Sequence, residues 1–284
     1  MRKVVYSILS MFFLMVSCDP MEDRNTLSGA LTADQIQVTA IPQVIEGKNS
    51  NYIDLNSDGV GVLSSWDYGS GITAKTKTTV QLVLQGENQI KFMGRNHDGS
   101  MIEKILTVQV DTLIDVPAEW GYFCGSGEKV WTWDDTQPED ANESTGPTVW
   151  GNGGYKGNVT PGWWKVGLDG IDKQAAGEGK GAEMIFAVSG SKLTINKTDG
   201  TSESGTFSFD MTNQTLDDGG AVWAKGKLST KTVSMLCGIA PNEGNVRVYE
   251  YDILSLDDDK MALARPEPGQ GSWGTAWFWM FKAK

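Results

Sequence analysis

Hydrophobic and polar positions along most of the chain alternate in short runs. Runs such as QIQVTAI, TTVQLVL and KILTVQV are separated by clusters of Gly, Asn, Asp and Ser, and helical spacing of apolar residues is almost absent after residue 17. A period of two places successive side chains on opposite faces of a strand, and regular turn signals between such runs are typical of sandwiches and barrels. The pattern therefore predicts an all-β protein.

The run AWFWMF near the end of the chain departs from simple alternation. Trp277 and Trp279 would share one face of a strand with Phe281, while Phe278 and Met280 would share the other face. Both faces are apolar, which is typical of a strand that is covered on both sides. We therefore expect Trp277 and Trp279 to be mainly packed, on a face that is wide enough for Trp277 to contact a ligand as well.

The first 17 residues have the layout of a secretory signal. Arg2 and Lys3 precede an apolar stretch, VVYSILSMFFLMVS, which is too short to span a bilayer comfortably. The stretch LMVSC resembles the bacterial lipobox, and this resemblance implies cleavage after residue 17 and lipidation of Cys18. The alternative is an ordinary cleaved signal followed by an unrelated cysteine.

An acidic run follows Cys18. Asp19, Glu22 and Asp23 resemble the export signal of lipoproteins that reach the outer face of the outer membrane. The resemblance implies a lipid-anchored protein of the outer membrane that faces the cell exterior. Residues 18–33 then form a polar, flexible tether.

Composition limits the partners. The formal net charge is −12 and the pI is about 4.6, which argues against nucleic acid, because phosphates demand a basic surface. Neutral and cationic partners stay open. His97 is the only histidine, so a histidine-based metal site is not expected. Cys124 and Cys237 could form a disulfide in an oxidising compartment, and the sequence does not decide this.

Residues 34–113 carry six or seven strand-like runs, the scale of an immunoglobulin-like sandwich. The stretch WDYGSG, residues 66–71, resembles the motif of the PKD family, which implies a spacer or platform module. Within it, DLNSDG offers Asp54, Asn56 and Asp58 as candidate calcium ligands. Position twelve of that loop is Ser65 in place of Glu, which favours a plain Asx-rich turn.

Residues 118–284 predict a second β-sandwich, jelly-roll-like, with a lipocalin-like barrel as the alternative. Every one of the 11 tryptophans except Trp66 lies in this region. Leu, Ile and Val fill a core without an N–H that needs a partner, so excess tryptophan indicates a need for flat aromatic faces. The C–H face of a pyranose ring is a ligand of that kind, and a neutral polysaccharide requires no positive charge.

The glycine-rich run VWGNGGYKGNVTPGWWKVG combines aromatic rings with amide groups, and glycines allow a close approach to a ligand. Trp163 and Trp164 are adjacent, so in an extended segment they point in opposite directions. Trp120 and Trp223 read as core or interdomain residues. The candidate ligand-binding residues are Trp133, Asp134, Trp150, Asn152, Tyr155, Trp163, Trp164, Trp273 and Trp277.

Taken together, the lipobox, the acidic run, the PKD-like region and the tryptophan-rich region resemble surface glycan-binding lipoproteins of polysaccharide-utilisation systems. The resemblance implies binding of a polysaccharide, a β-glucan being the favoured neutral glucan, without cleavage and without a cofactor. The implied partners are a TonB-dependent transporter and its partner lipoprotein.

Two other functions stay open. Glu250 and Asp252 resemble the start of the E-x-D-x-(x)-E signature of laminarinase-type β-jelly-roll hydrolases, but Leu254 and Ser255 stand where the acid/base Glu belongs. A retaining glycoside hydrolase needs both carboxylates. A structural or adhesive lipoprotein that binds another protein is the third interpretation, and it leaves the tryptophan excess unexplained.

Overall fold

A computed structural model describes residues 29–284 of the chain. Strands dominate this part, and its α-helices are two short segments, Glu119–Cys124 and Ile171–Gln174, so the all-β prediction is confirmed. Among residues 29–284, no helix is long and apolar enough to cross a bilayer. The predicted signal peptide, Cys18 and the tether as far as residue 28 lie outside the described residues.

The strands of the N-terminal region are β1 (Thr39–Ile45), β2 (Lys48–Asn56), β3 (Leu63–Asp67), β4 (Ile72–Thr73), β5 (Lys77–Gln81), β6 (Gly86–Arg95) and β7 (Met101–Val110). They form two antiparallel sheets, one in the order β1-β2-β5 and one in the order β4-β3-β6-β7. The two sheets share one buried apolar core.

The WDYGSG stretch supplies a core residue and a turn to this region. Trp66 is buried and its ring meets Phe92 edge to face, with centroids 4.9 Å apart. The Asp67 carboxylate accepts a hydrogen bond from the Gly69 N–H at 2.9 Å, and the Gly69 carbonyl accepts one from the Gly190 N–H at 2.8 Å. The motif therefore also contacts the C-terminal region.

The DLNSDG run is an Asx turn. Asn56 Oδ1 accepts the backbone N–H of Asp58 at 2.9 Å, and Asp54 accepts hydrogen bonds from Gln43 and Thr79. Within residues 29–284, no group of three or more His, Cys, Asp or Glu side chains is placed to hold a metal ion. Asn56 and Asp58 therefore form the kind of turn that the sequence favours at this position.

The C-terminal region is built around a sheet that closes on itself. The strands of this region are β8 (Glu128–Trp133), β9 (Thr148–Gly154), β10 (Lys165–Gly167), β11 (Glu183–Ala187), β12 (Lys192–Asn196), β13 (Ser202–Asp210), β14 (Thr215–Leu216), β15 (Val222–Ala224), β16 (Gly226–Lys231), β17 (Ile239–Ala240), β18 (Val246–Arg247), β19 (Glu250–Leu256), β20 (Lys260–Pro266) and β21 (Thr275–Ala283). The closed sheet has the order β21-β20-β19-β16-β13-β12-β11-β8 and back to β21, and β9 and β10 extend it from β21.

The last strand closes the ring because it pairs along two neighbours on the same edge. The first half of β21 pairs with β9, where Trp279 lies opposite Trp150, and the second half pairs with β8, where Phe281 lies opposite Trp133. The result is an eight-stranded, barrel-like closed sheet. The two-sheet, jelly-roll-like arrangement preferred from the sequence is not confirmed. Strand alternation indicates which side chains face inward, but it does not indicate which sheet edges pair with each other.

The interior of the closed sheet is filled by its own side chains. Residues 233–240 are buried and pack in the same core as the inward side chains of the strands. Three polar contacts fix this segment: Tyr251 Oη accepts the Met235 N–H at 3.2 Å, Glu178 accepts the Cys237 N–H at 2.7 Å, and Trp279 Nε1 donates to the Cys237 carbonyl at 3.0 Å. A ligand is therefore to be sought on the outside of this sheet.

A second apolar layer covers the outer face of β21. Phe278 and Met280 pack with Trp223 and Ala224 of the small hairpin formed by β14 and β15. Trp277, on the opposite face of β21, belongs to the interior core. The prediction that this strand is covered on both sides is confirmed.

The two cysteines of the described chain are free. Cys124 and Cys237 are both buried in the interior core. Burial raises the pKa of the Cys124 thiol to about 12 and also raises the pKa of the Cys237 thiol. Both side chains therefore act as small apolar groups.

Candidate functional site

Three of the predicted sugar-stacking tryptophans are core residues. Trp133, Trp150 and Trp277 are 2%, 0% and 1% exposed, and the rings of Trp150 and Trp277 stack with centroids 5.1 Å apart. Closure of the sheet through β21 brings β8 and β9 over the interior, so these indoles have no face open to solvent. Their assignment as ligand-binding residues is corrected.

Asp134 is a buried structural carboxylate. It is 1% exposed and pairs with Lys260 at 2.5 Å, while Thr136 and Gln137 also donate hydrogen bonds to it. Burial opposes ionisation, but the hydrogen bonds from Lys260, Gln137 and Thr136 outweigh it and hold the pKa of Asp134 below its ordinary value. Because its oxygens are already occupied, the prediction that Asp134 binds a sugar hydroxyl is corrected.

The adjacent residues Trp163 and Trp164 differ in solvent exposure, as predicted. Trp163 is 47% exposed, whereas Trp164 is half-buried and meets Trp150 and Trp277 edge to face. Trp163 therefore remains a candidate for ligand contact. Trp164 acts as a cover over the core.

Asn152 and Tyr155 belong to the framework of the glycine-rich loop. The Asn152 carbonyl accepts the N–H groups of Gly162 and Trp163, and its Oδ1 accepts the Trp164 N–H at 3.1 Å. Tyr155 is half-buried, and its ring meets Trp223 edge to face with centroids 5.1 Å apart. Both residues shape the loop between β9 and β10.

Trp273 is the aromatic residue that the fold presents most openly. It is 62% exposed, the largest exposed fraction of any tryptophan among the described residues. Its φ is +62°, in the left-handed region, where a bulky residue is an outlier that costs about 1–2 kcal/mol. Such outliers cluster at binding sites.

The Trp273 indole rests on a turn of the glycine-rich loop. A Cβ added at Gly157 would lie 2.6 Å from the indole atoms Cη2 and Cζ2, and one added at Gly154 would lie 2.6 Å from Cε3. Gly157 and Asn158 both donate their N–H groups to the Gly154 carbonyl, so the two glycines belong to one turn. Since this turn lies on one side of the six-membered ring, the exposed surface of the indole lies on the other.

Backbone hydrogen bonds fix Trp273 against Tyr155. The Trp273 N–H donates to the Tyr155 carbonyl at 2.8 Å, and the Tyr155 N–H donates to the Gly274 carbonyl at 2.7 Å. The Trp163 N–H donates to the carbonyl of Asn152, and Asn152 precedes Tyr155 by three residues along the chain. At about 3.3 Å per extended residue, the two anchoring points are about 10 Å apart.

The β14–β15 hairpin is joined to the same surface. Trp223 Nε1 donates to the Asn158 carbonyl at 2.8 Å, and Ser272 Oγ donates to Asp218 Oδ1 at the hairpin tip. The turn Gly154–Asn158, the loop before β21 and the hairpin therefore form one connected surface. We call it the Trp273 platform.

The predicted carboxylate pair of a hydrolase lies elsewhere on β19. Glu250 is exposed and accepts a hydrogen bond from Ser229, whereas Asp252 is 1% exposed and pairs with Lys227 at 2.5 Å. Leu254, on the same face, is buried in the outer apolar layer. The Asp252 carboxylate is thus enclosed in an ion pair under the hairpin.

No protein-family model and no curated protein matches the chain. The interpretation of the platform therefore depends on its geometry. Sequence reasoning did not find the support given to Trp273 by Gly154 and Gly157, because that contact joins residues more than 100 positions apart. The available signal was the density of glycines in GNGGYKG. From the sequence we expect these glycines to allow a ligand to approach closely, and in the structure the Trp273 indole lies against two of them.

Proposed function

We propose that the protein binds a neutral polysaccharide, a β-glucan being the favoured class, without cleaving it, through stacking on the Trp273 platform. The observation that carries the proposal is the Trp273 side chain, held on a glycine turn with 62% of its surface open despite a φ of +62°. An exposed indole lowers solubility, and the left-handed backbone of Trp273 is strained. A role in ligand contact explains both the exposure and the strain.

The charge of the chain supports an uncharged ligand. The formal net charge is −12, and the side chains near Trp273 carry both signs: Asp218 lies at the hairpin tip, and Lys156 lies in the turn with its Nζ 5.4 Å from the centre of the Tyr155 ring. The net charge of the chain would repel an anionic polysaccharide, whereas stacking of a sugar C–H face on an indole needs no charge. We expect binding to depend only weakly on salt.

The N-terminal parts have supporting roles in this proposal. Residues 34–113 would be a PKD-like, immunoglobulin-like sandwich that acts as a spacer, supported by two sheets around one core with Trp66 buried. Cys18 would carry the lipid that anchors the protein to the outer membrane, facing outward. Captured polysaccharide would pass to a TonB-dependent transporter and its partner lipoprotein.

Native electrophoresis through gels that contain soluble polysaccharides tests the binding. The purified protein should be retarded by a neutral glucan and not by an anionic polysaccharide, and Trp273→Ala should lose most of this retardation. Tyr249→Ala is the matched control, because Tyr249 is also an exposed aromatic residue, at 39%, but lies outside the platform. Equal loss in both variants would contradict a specific role for Trp273.

Two further assays test the other parts of the proposal. A reducing-sugar assay on the same polysaccharides should show no release, and release that Glu250→Gln abolishes would favour the glycoside hydrolase. Labelled palmitate should be incorporated into the wild-type chain in cells and not into Cys18→Ser. Incorporation into Cys18→Ser would contradict the anchor.

A further inference from the structure

The turn under Trp273 has no room for a side chain at its two contact points while the indole keeps its position. At Gly157, an added Cβ would come within 2.7 Å of three indole atoms, and at Gly154 within 2.6 Å of one. Contacts under 3.0 Å essentially never occur for a Cβ, so any other residue would displace the ring. The backbone of Gly157 is not in the left-handed region, so its requirement for glycine arises from the indole.

Asn158 holds this turn in shape. Its Oδ1 accepts the Gly154 N–H at 2.7 Å, and its own N–H donates to the Gly154 carbonyl at 2.8 Å. Its carbonyl accepts Trp223 Nε1 at 2.8 Å, which joins the turn to the hairpin. The Asn158 side chain also occupies the space that a Cβ at Gly162 would need.

We infer that Gly154, Gly157 and Asn158 are positioning residues that fix the Trp273 indole with one side open for the ligand. The inference rests on the proposed function in so far as the ligand is a polysaccharide. Immobilising an aromatic side chain before binding lowers the entropic cost of contact, and a binding group must be held within a fraction of an ångström to act fully. A free indole on a mobile loop would bind more weakly.

The experiment compares Gly157→Ala with Gly271→Ala. Gly271 lies in the loop that carries Trp273, it is not in the left-handed region, and a Cβ there meets nothing within 4 Å. The two substitutions therefore differ mainly in the clash with the indole. The full chain is labelled with 5-fluorotryptophan, and the ¹⁹F resonance of Trp273 is assigned by its loss in Trp273→Phe.

We expect Gly157→Ala to shift or broaden the Trp273 resonance and to weaken glucan retention by about tenfold. Gly271→Ala should leave both unchanged, and the thermal midpoint of each variant shows whether it is folded. An unchanged Trp273 resonance and unchanged retention in Gly157→Ala would overturn the inference.

A second pair of variants covers the case in which Gly157→Ala does not fold. Asn158→Asp keeps an oxygen that can accept the Gly154 N–H, whereas Asn158→Leu removes it. The Trp273 resonance should be near its wild-type position in Asn158→Asp and displaced in Asn158→Leu; equal positions in both would overturn the role of Asn158. If the wild-type protein is retained by no polysaccharide, the proposed function fails, and the ¹⁹F comparison still decides whether the turn positions the indole.

Discussion

Replacing Trp273 with alanine should separate binding from stability. A tryptophan side chain offers up to about 250 Å² of surface, and 62% of Trp273 is exposed, which leaves about 150 Å² open. A ligand that covers the unsupported side would bury about half of this, about 80 Å². At about 25 cal/mol per Å², the contact contributes about 2 kcal/mol, or about a 30-fold change in Kd.

The same substitution should have a small effect on folding. The buried part of Trp273 is about 90 Å², which corresponds to at most about 2 kcal/mol, because extended-chain burial is an upper bound. Trp273→Gly removes the same ring and also relieves about 1 kcal/mol of left-handed strain. It should therefore lose binding as Trp273→Ala does and be the more stable of the two.

Isothermal titration calorimetry with a soluble glucan gives the change in Kd, and urea unfolding gives the change in the free energy of unfolding. A loss of binding below about threefold in both Trp273 variants would refute the stacking contact. A loss of more than about 4 kcal/mol of stability in Trp273→Ala would instead place Trp273 in the folded core. Tyr249→Ala serves as the control in both measurements.

Three other predictions concern the fold. Trp277→Ala should lower the free energy of unfolding by about 3–5 kcal/mol in urea, because it empties a fully buried site; a loss below about 1 kcal/mol would contradict its burial. Arg247 donates hydrogen bonds to both carboxylate oxygens of the buried Glu178. Burial raises the pKa of Glu178, but Arg247, together with the Cys237 N–H and Lys197, outweighs burial and holds this pKa below its ordinary value. The pair therefore stabilises the fold above about pH 4.5, and this contribution is lost as pH falls through the lowered pKa. Arg247→Met should therefore lower the free energy of unfolding by about 2–3 kcal/mol at pH 7, which is less than for a fully buried pair because Arg247 is partly solvated. The loss should be smaller at pH 4, and an equal loss at the two pH values would refute the linkage. Cys124 and Cys237 should react with a thiol reagent only after denaturation, because both are buried. If neither reacts in the denatured chain when no reductant is added, the two thiols are not free.

Alternation along single strands was sufficient to predict local orientation. The two apolar faces of AWFWMF predicted a strand covered on both sides, and the adjacency of Trp163 and Trp164 predicted that they point apart. Both predictions are confirmed, since the orientation of neighbouring side chains follows from backbone geometry alone.

Long-range strand pairing could not be predicted in the same way. The burial of Trp133 and Trp150 depends on β21 pairing with both β8 and β9, which brings together segments more than 100 residues apart. Asp134 is enclosed because Lys260, from a distant strand, reaches it. The composition of these segments was compatible with either a ligand surface or a core, and closure of the sheet decided between them.

The most direct test of polysaccharide binding is the mobility of the wild-type protein in native gels with and without a series of soluble polysaccharides, paired with a reducing-sugar assay. We expect retardation by at least one neutral glucan, none by anionic polysaccharides, and no release of reducing ends. Unchanged mobility in every neutral polysaccharide would contradict the proposed binding.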